Sequence, residues 1–332
     1  MAMTDRNNPT NAPSSDSQMT VIEFMREFPD DATCLEWLWQ QRFSADGTHA
    51  HCARCDQVRV FKRYATKQKR QSWTCTGCGL HIHPTAGTIF HKSSTSLHLW
   101  FYAMYLMTST RCGISAKQLE RELGVHYKTA WRMFHLIRKE LMDEGDIVLE
   151  GEVEMDETVV GGQLRAAEAR KIAALPTQAE RMSMRQKVSA ERKAMVFGAV
   201  ERGGRVVAQV VPNRKAHTLM DHVDLRVLPG SMVFTDELKS YDSLTARGYQ
   251  HSRIHHASNV YVRGDVHTNT IEGFWSLVKN GLRGVYHSVS EKHLQTYFNE
   301  YAWRYNHRHD DQPMFWTMIG QAALPTECES LA

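Results

Sequence analysis

Asp156, Asp236 and Glu272 come from separate stretches of the chain, with 35 residues between the last two and Lys279 seven positions beyond the glutamate. Three hard oxygen ligands suit Mg²⁺ or Mn²⁺, which keep several coordination places for water and phosphate. Two such ions about 4 Å apart activate an attacking oxygen and stabilise a leaving one. The pattern therefore points to metal-dependent phosphodiester chemistry with no covalent enzyme intermediate.

Each acid also has an ordinary explanation. In Glu152-Val-Glu-Met-Asp156, strand alternation puts Glu152, Glu154 and Asp156 on one face, which also describes a solvated surface. Asp156 is predicted at a strand end, and Met232-Val-Phe-Thr-Asp236 again ends an apolar strand in an Asp-Glu pair. Strand ends are where α/β sheets gather functional groups. Asn269-Thr-Ile-Glu272 fits a capping box, in which the glutamate would bond to the N-cap amide. Against that, Glu272, Ser276, Lys279 and Arg283 share one helix face, with Ile271, Phe274, Trp275, Val278 and Leu282 mainly on an adjacent one. Seven residues span about 10.5 Å of helix, so Lys279 would meet a phosphate next to a metal held by Glu272.

A second metal signature precedes these acids. Cys52-Ala-Arg-Cys55 and Cys75-Thr-Gly-Cys78, separated by 19 residues, have the spacing of a structural zinc site, the alternative being four unligated buried thiols. Four thiolates close the zinc tetrahedron and leave no open position, so this metal would hold the fold. Its loss would cost on the order of 10 kcal/mol of folding free energy. Between the pairs, Arg59, Lys62, Arg63, Lys67, Lys69 and Arg70 interleave with Phe61, Tyr64 and Trp73, as in a DNA-facing ribbon, although many zinc ribbons bind protein.

Ser115 to Gly124 predicts one helix ended by glycine, and His126 to Leu141 a longer second one. Leu119, Leu123, Val125, Ala130, Phe134 and Ile137 would form the shared core of a helix-turn-helix. His126, Tyr127, Lys128 and Arg132 would then be exposed at the start of the second helix for DNA. A plain helical hairpin is the alternative.

The elements that must carry these groups are arranged in order. Residues 1–18 read as a disordered tail, 19–94 as two short helices and the zinc ribbon, and 95–145 as the helical DNA-binding segment. Residues 146–310 read as an α/β catalytic domain, and 311–332 as a C-terminal tail. Within the α/β part, strands are predicted at Ile147 to Met155, Ala194 to Val200, Val206 to Val211 and Met232 to Thr235. Arg202-Gly-Gly204 is placed in a hairpin turn. Helices follow at Ala216 to Leu225, Tyr241 to Arg247, Thr270 to Leu282 and Glu291 to Asn306. Residues 163–193 interrupt this domain with eight basic residues against three acidic ones, which fits either a solvated loop or an arm neutralising phosphates.

A hydrophobic fraction of 42% and a charged fraction of 23% are those of a globular chain, and a net charge of +3 leaves DNA binding to local clusters. No apolar run approaches the ~18 residues that cross a bilayer, so a cytoplasmic location and no membrane partner are expected. In that reducing setting, Cys34, Cys112 and Cys328 read as ordinary thiols.

Asp156-Glu-Thr with Gly161-Gly162, Asp236-Glu-Leu-Lys-Ser-Tyr-Asp242, and the run from Arg263 through His267-Thr-Asn-Thr-Ile-Glu272 to Lys279 resemble the DDE transposases of bacterial insertion-sequence family fifteen-ninety-five. The similarity runs from about Phe24 to Arg308 and takes in the cysteines, Gly87-Thr-Ile-Phe90, the Ser115 to Arg138 helices and Tyr305-Asn306. The resemblance implies a ribonuclease-H-like mixed sheet whose first three strands are antiparallel, flanked by helices. It also implies cleavage at transposon ends by water, then attack of the freed 3′-hydroxyl on target DNA. In parts of this family the third catalytic residue is asparagine, which makes Asn269 the alternate to Glu272. Expected partners are double-stranded DNA (terminal inverted repeats and target) and a second copy of the chain at least, because two ends must be cut together. A bacterial nucleoid would then be the place of work. A DNA-binding regulator without catalysis, and a nuclease that cuts without joining, are the rival readings.

Overall fold

Short capped helices begin the described chain. Thr20 and Glu23 form a reciprocal capping box that starts α1 (Val21–Glu27), and Asp30 accepts from the Thr33 amide at 2.8 Å to start α2 (Asp31–Arg42). The computed structural model describes residues 19–64, 71–110, 112–161, 166–254, 267–287 and 289–326. The chain divides into two units, one of Met142–Asn306 and one made of the residues on both sides of it.

In the flanking unit, β1 (His49–Cys52), β2 (Gln57–Tyr64), β3 (Ser72–Cys75) and β4 (His81–Ile82) form an antiparallel sheet in sequence order. Helices α3 (Leu97–Ser109), α4 (Ala116–Leu123) and α5 (Tyr127–Leu136) follow, the last running into a wider π-helical turn, Ile137–Leu141. The segment expected as a C-terminal tail contains a helix, Met314–Ala323, with Phe315, Met318 and Ile319 buried. Phe315 meets Phe24 and Phe28 edge-on, at centroid distances of 5.5 and 5.8 Å, so the two ends of the chain share one aromatic core.

The central unit is built on a five-stranded sheet. β5 (Glu152–Gly161), β6 (Lys193–Glu201) and β7 (Val206–Val211) form an antiparallel meander, with helices α6 (Ala166–Ala173) and α7 (Gln178–Glu191) of the basic insertion between β5 and β6. Helix α8 (Ala216–Arg226) leads to β8 (Met232–Thr235), which pairs with β5 in parallel and is followed by β9 (Gln250–Arg253), parallel to β8. The order β7-β6-β5-β8-β9, three antiparallel strands then two parallel ones, is the ribonuclease-H-like mixed sheet expected from the resemblance.

Alternation along the strands splits the core into two layers. Val153, Met155, Phe197 and Ala199 pack with Leu219, Met220 and Val223 of α8. On the opposite face, Val196, Val200 and Val206 pack with Ile271, Phe274, Trp275 and Val278 of α9 (Asn269–Gly281) and Phe298 and Tyr301 of α10 (Glu291–Asn306). Strand β7 is the sheet edge, and side chains of α10 satisfy its free groups. Asn306 Oδ1 accepts from Val206 N at 2.7 Å, and Gln295 Oε1 accepts from Val210 N at 2.7 Å. An edge closed in this way cannot pair with another strand there.

Several boundaries moved. The strand expected at Ile147 to Met155 starts at Glu152 and continues to Gly161, so Asp156 sits in mid-strand and not at its end. The helix expected from Tyr241 to Arg247 is two 3₁₀ turns, Lys239–Tyr241 and Thr245–Arg247.

Candidate active site

Of the face carrying Glu152, Glu154 and Asp156, helix α9 covers the part that holds Glu154 and Asp156. Glu152 remains exposed, Glu154 is fully buried, and Asp156 is half-buried. Trp275 Nε1 donates to Asp156 Oδ2 at 2.9 Å. The indole has room because Asp156 is paired across the ladder with Gly198, and any β-carbon there would overlap the ring. Burial pushes the Asp156 carboxyl up to about 6, opposed by the Trp275 bond and reinforced by the charges of Asp236 and Glu272. Asp156 lies on β5, Asp236 just after β8 and Glu272 in the first turn of α9.

A fourth acid joins them. Glu157 is pushed up to about 7 by burial, against a hydrogen bond from the Tyr241 hydroxyl and with the charges of Asp156 and Asp236 adding to the rise. Tyr241 is itself fully buried. Asp236 directs Oδ1 to the Leu238 amide at 3.0 Å, which shapes the turn that brings Tyr241 inward.

Helix α9 begins at Asn269, with Thr268 as N-cap and no side-chain bond from the cap. The capping box offered as the ordinary explanation of Glu272 is absent: Glu272 is exposed, and its Oε1 takes a long 3.4 Å bond from Thr268 Oγ1. The helix is capped from the sheet instead. Glu154 Oε2 accepts from the amides of Thr270 (2.8 Å) and Ile271 (3.1 Å), and its Oε1 accepts from Thr270 Oγ1 (2.9 Å) and Arg202 Nε (2.9 Å). A buried carboxylate with four donors on a helix N-terminus is held by charge-assisted bonds and by the helix dipole. Asn269 and Arg283 are exposed and Lys279 is half-buried on the same helix and the turn after it. The part of the motif from Arg263 to Val266 lies outside the described residues.

At the other metal signature, the ligand atoms of Cys52, Cys55, Cys75 and Cys78 all lie within 4.8 Å of one another, and among the described residues no carboxylate trio is so tightly gathered. Tetrahedral zinc with bonds near 2.3 Å sets its sulfurs about 3.8 Å apart. The Cys52–Cys78 and Cys55–Cys75 sulfurs are 3.5 and 3.9 Å apart, so the donor set fits zinc. Two turns make this approach: Cys55 N and Asp56 N donate to Cys52 O, and Gly79 N donates to Cys75 O.

Two aromatics of the expected DNA-facing ribbon are core. Phe61 and Trp73 are buried against Trp39, with the two indoles stacked at 4.9 Å and 9°. Tyr64, Arg59, Lys62 and Arg63 remain exposed, while Lys67, Lys69 and Arg70 lie outside the described residues.

Helix α4 ends at Gly124 with φ +62°, the left-handed conformation that lets α5 start after two residues. Leu119, Leu123, Ala130, Phe134 and Ile137 are buried as expected, whereas Val125 is partly exposed. His126 is the N-cap of α5 and accepts from the Lys128 amide at 3.2 Å; Tyr127, Lys128 and Arg132 are exposed beside it. In the basic insertion, α6 and α7 carry exposed Arg170, Lys171, Arg181, Arg185 and Lys187, and Arg192 pairs with Glu168 at 3.1 Å. No helix of the described residues is long and apolar enough to cross a membrane.

Trp275, Glu157, Tyr241, Gly198, Glu154 and Arg202 are the site residues that sequence reasoning missed. The Asp-Glu doublet at 156–157 and the spacing from Asp236 to Tyr241 were the available signals for two of them.

Comparison with known proteins bears on the same span. Residues 148–306 match the model of a family described as the ISXO2-like transposase domain. An uncharacterized protein in transposable element ISH50 of Halobacterium salinarum is 31% identical over 258 residues, covering 76% of this chain and 84% of that one. An uncharacterized transposase-like protein of Haemophilus influenzae is 32% identical over 102 residues, covering 31% of this chain and 81% of that one.

Proposed function

Because the chain belongs to the ISXO2-like transposase family, we propose that it cuts transposon ends and joins them to target DNA with Asp156, Asp236 and Glu272 as carboxylates for Mg²⁺ or Mn²⁺. The observation that carries this reading is the register of β5 and β8, in which Glu154 pairs with Phe234 two residues before Asp156 and Asp236, together with the bond from Thr270 at the start of α9 to Glu154. Unmatched buried negative charge is what a divalent cation relieves. When bound, the ion supplies Lewis-acid polarisation of a phosphoryl oxygen and a more acidic attacking water.

The chain's own residues do the rest. Trp275 fixes the rotamer of Asp156, and Tyr241 fixes Glu157 beside it. Glu272, exposed on the first turn of α9, is free to turn toward the shared ligand, with Asn269 as the alternate third residue. Lys279, further along α9, faces the phosphate backbone, and Arg283 extends that contact.

The flanking unit grips the DNA ends in this reading. Zinc held by the four cysteines makes a zinc ribbon of β1 to β4, and α4 with α5 act as a helix-turn-helix whose His126, Tyr127, Lys128 and Arg132 meet DNA. The central unit is the catalytic domain, the insertion of α6 and α7 is a basic arm on it, and the working form is at least a dimer on two ends.

Asp156→Asn and Asp236→Asn should each abolish strand transfer on terminal-repeat DNA and leave end binding within about twofold, since the flanking unit is untouched. Retained strand transfer in either variant overturns the assignment. Metal-dependent nicking by the unaltered protein excludes a non-catalytic regulator, and transfer products exclude a nuclease that only cuts. Glu272→Gln compared with Asn269→Ala decides the third residue.

A further inference from the structure

Resting on the reading that these carboxylates hold the cation, we propose that Arg202 and Glu154 are positioning residues that lock the three acid-bearing elements into one register. Arg202 lies in the β6–β7 turn, where the sequence pattern calls for no more than a hairpin. Its side chain is only 16% exposed and makes a different contact with each branch. Nε donates to Glu154 Oε1, Nη1 to Glu152 Oε2, and Nη2 to the His267 carbonyl, each at 2.9 Å. The guanidinium carbon also lies 4.0 Å from the centre of the Phe234 ring.

Those contacts land in a pattern. Glu154 precedes Asp156 by two residues on β5, and Phe234 of β8 precedes Asp236, just beyond that strand, by two. Thr270, which donates to Glu154 through both its amide and its hydroxyl, precedes Glu272 by two on α9. On β5, residues two apart share a face, so fixing Glu154 fixes the direction of Asp156, while at β8 and α9 the contacts fix the backbone that carries Asp236 and Glu272. One arginine and one buried carboxylate therefore touch every element that delivers a candidate ligand, and none of their contacts uses the ligands themselves. A salt bridge that merely closed the hairpin would need Glu152 alone. The planar fork matters, because lysine offers a point charge that cannot engage three partners and a ring at once. Outer groups of this kind set the geometry of metal-binding side chains, and displacements near 1 Å are enough to cost activity.

The test uses the full chain with Mn²⁺ as probe and compares Arg202→Gln, Arg202→Lys, Glu154→Gln and Gln295→Ala. The last loosens the β7 edge without touching the knot and controls for lost stability. The expected result for Arg202→Gln and Glu154→Gln is at least about tenfold weaker Mn²⁺ binding, with a similar fall in kcat for strand cleavage and an unchanged KM for DNA. Arg202→Lys should recover stability more than metal affinity, and it serves where Arg202→Gln does not fold. Amide exchange at Thr270 and Ile271 should rise in every knot variant and stay low in Gln295→Ala. Mn²⁺ affinity within twofold of the unaltered protein, or a loss equal to that of Gln295→Ala, overturns the inference. Failure of the functional reading looks different: the unaltered protein would show no Mn²⁺ binding that Asp156→Asn removes, and exchange at Thr270 and Ile271 would still decide whether Arg202 and Glu154 fix α9.

Discussion

Trp275 and Gly198 occupy one space: the indole lies where a side chain on β6 would stand, and from there it reaches Asp156. Gly198→Ala should therefore displace the ring and free the carboxylate. Overpacking of a tight site costs about 1–3 kcal/mol, and the orienting bond is lost with it. Trp275→Phe removes the donor and leaves space beside Gly198 instead of overfilling it. We expect Gly198→Ala to lower both the melting midpoint and strand cleavage, and Trp275→Phe to lower cleavage with a smaller change in stability. Equal cleavage by Trp275→Phe and the unaltered protein would show that the indole does not orient Asp156.

How stability responds to pH follows from the same cluster. Asp156 is raised from 3.8 to about 6, and Glu157 from 4.5 to about 7, both first by burial. A folded-state value above the unfolded one means the contribution to stability is full below the unfolded value and is lost as pH rises through the folded value. Without added divalent cation, stability from this cluster should fall between about pH 4 and pH 7, by on the order of 2 kcal/mol per group. Glu157→Gln should flatten the profile and be more stable than the unaltered protein at pH 8. Urea midpoints at pH 5, 6, 7 and 8 measure this; a Glu157→Gln profile parallel to the unaltered one would remove Glu157 from the cluster.

Part of this site is legible in the sequence, because its signals are local. Residue type and spacing were enough for the cysteines, and helical periodicity returned the bounds of α10 without error. Alternation correctly put Glu152, Glu154 and Asp156 on one face, but alternation does not say what covers a face, and α9 covers this one. A solvated surface fits that alternation equally well, yet Glu154 is the cap of a helix more than a hundred residues away. The same limit hid Trp275, since an apolar stripe marks burial and not the direction of an indole N–H. Strand β9, Gln-His-Ser-Arg at the sheet edge, has no apolar alternation to find. Phe61 and Trp73 looked like a binding surface because their partner, Trp39, lies in a preceding helix.

Removal of zinc should act on the cysteine sheet through folding. The four strands β1 to β4 bury few apolar side chains, chiefly Ala50, Phe61 and Trp73 besides the cysteines. A structural zinc site supplies on the order of 10 kcal/mol to such a segment. Cys52→Ser or Cys78→Ser should therefore abolish zinc retention and open residues 49–82 to protease, with loss of DNA end binding. Elemental analysis and limited proteolysis measure the two effects. Protection of this segment after complete zinc removal would leave the cysteines as unligated core thiols.

End binding is tested by its salt dependence. Lys128 and Arg132 are exposed at the start of α5, where a helix entering a major groove presents its first turns. Each cation that neutralises a DNA phosphate contributes about 0.9 to the slope of log K against log salt. Lys128→Ala and Arg132→Ala should each weaken binding to a terminal-repeat duplex. A phosphate contact reduces the slope by about 1 and acts equally on unrelated DNA, whereas a base contact spares unrelated DNA and erodes discrimination. Arg132→Lys separates the two, because lysine retains the charge but not the bidentate grip on guanine. Unchanged affinity and unchanged slope in both alanine variants would make α4 and α5 an ordinary helical hairpin and move end recognition to the exposed Arg59, Lys62 and Arg63 of β2.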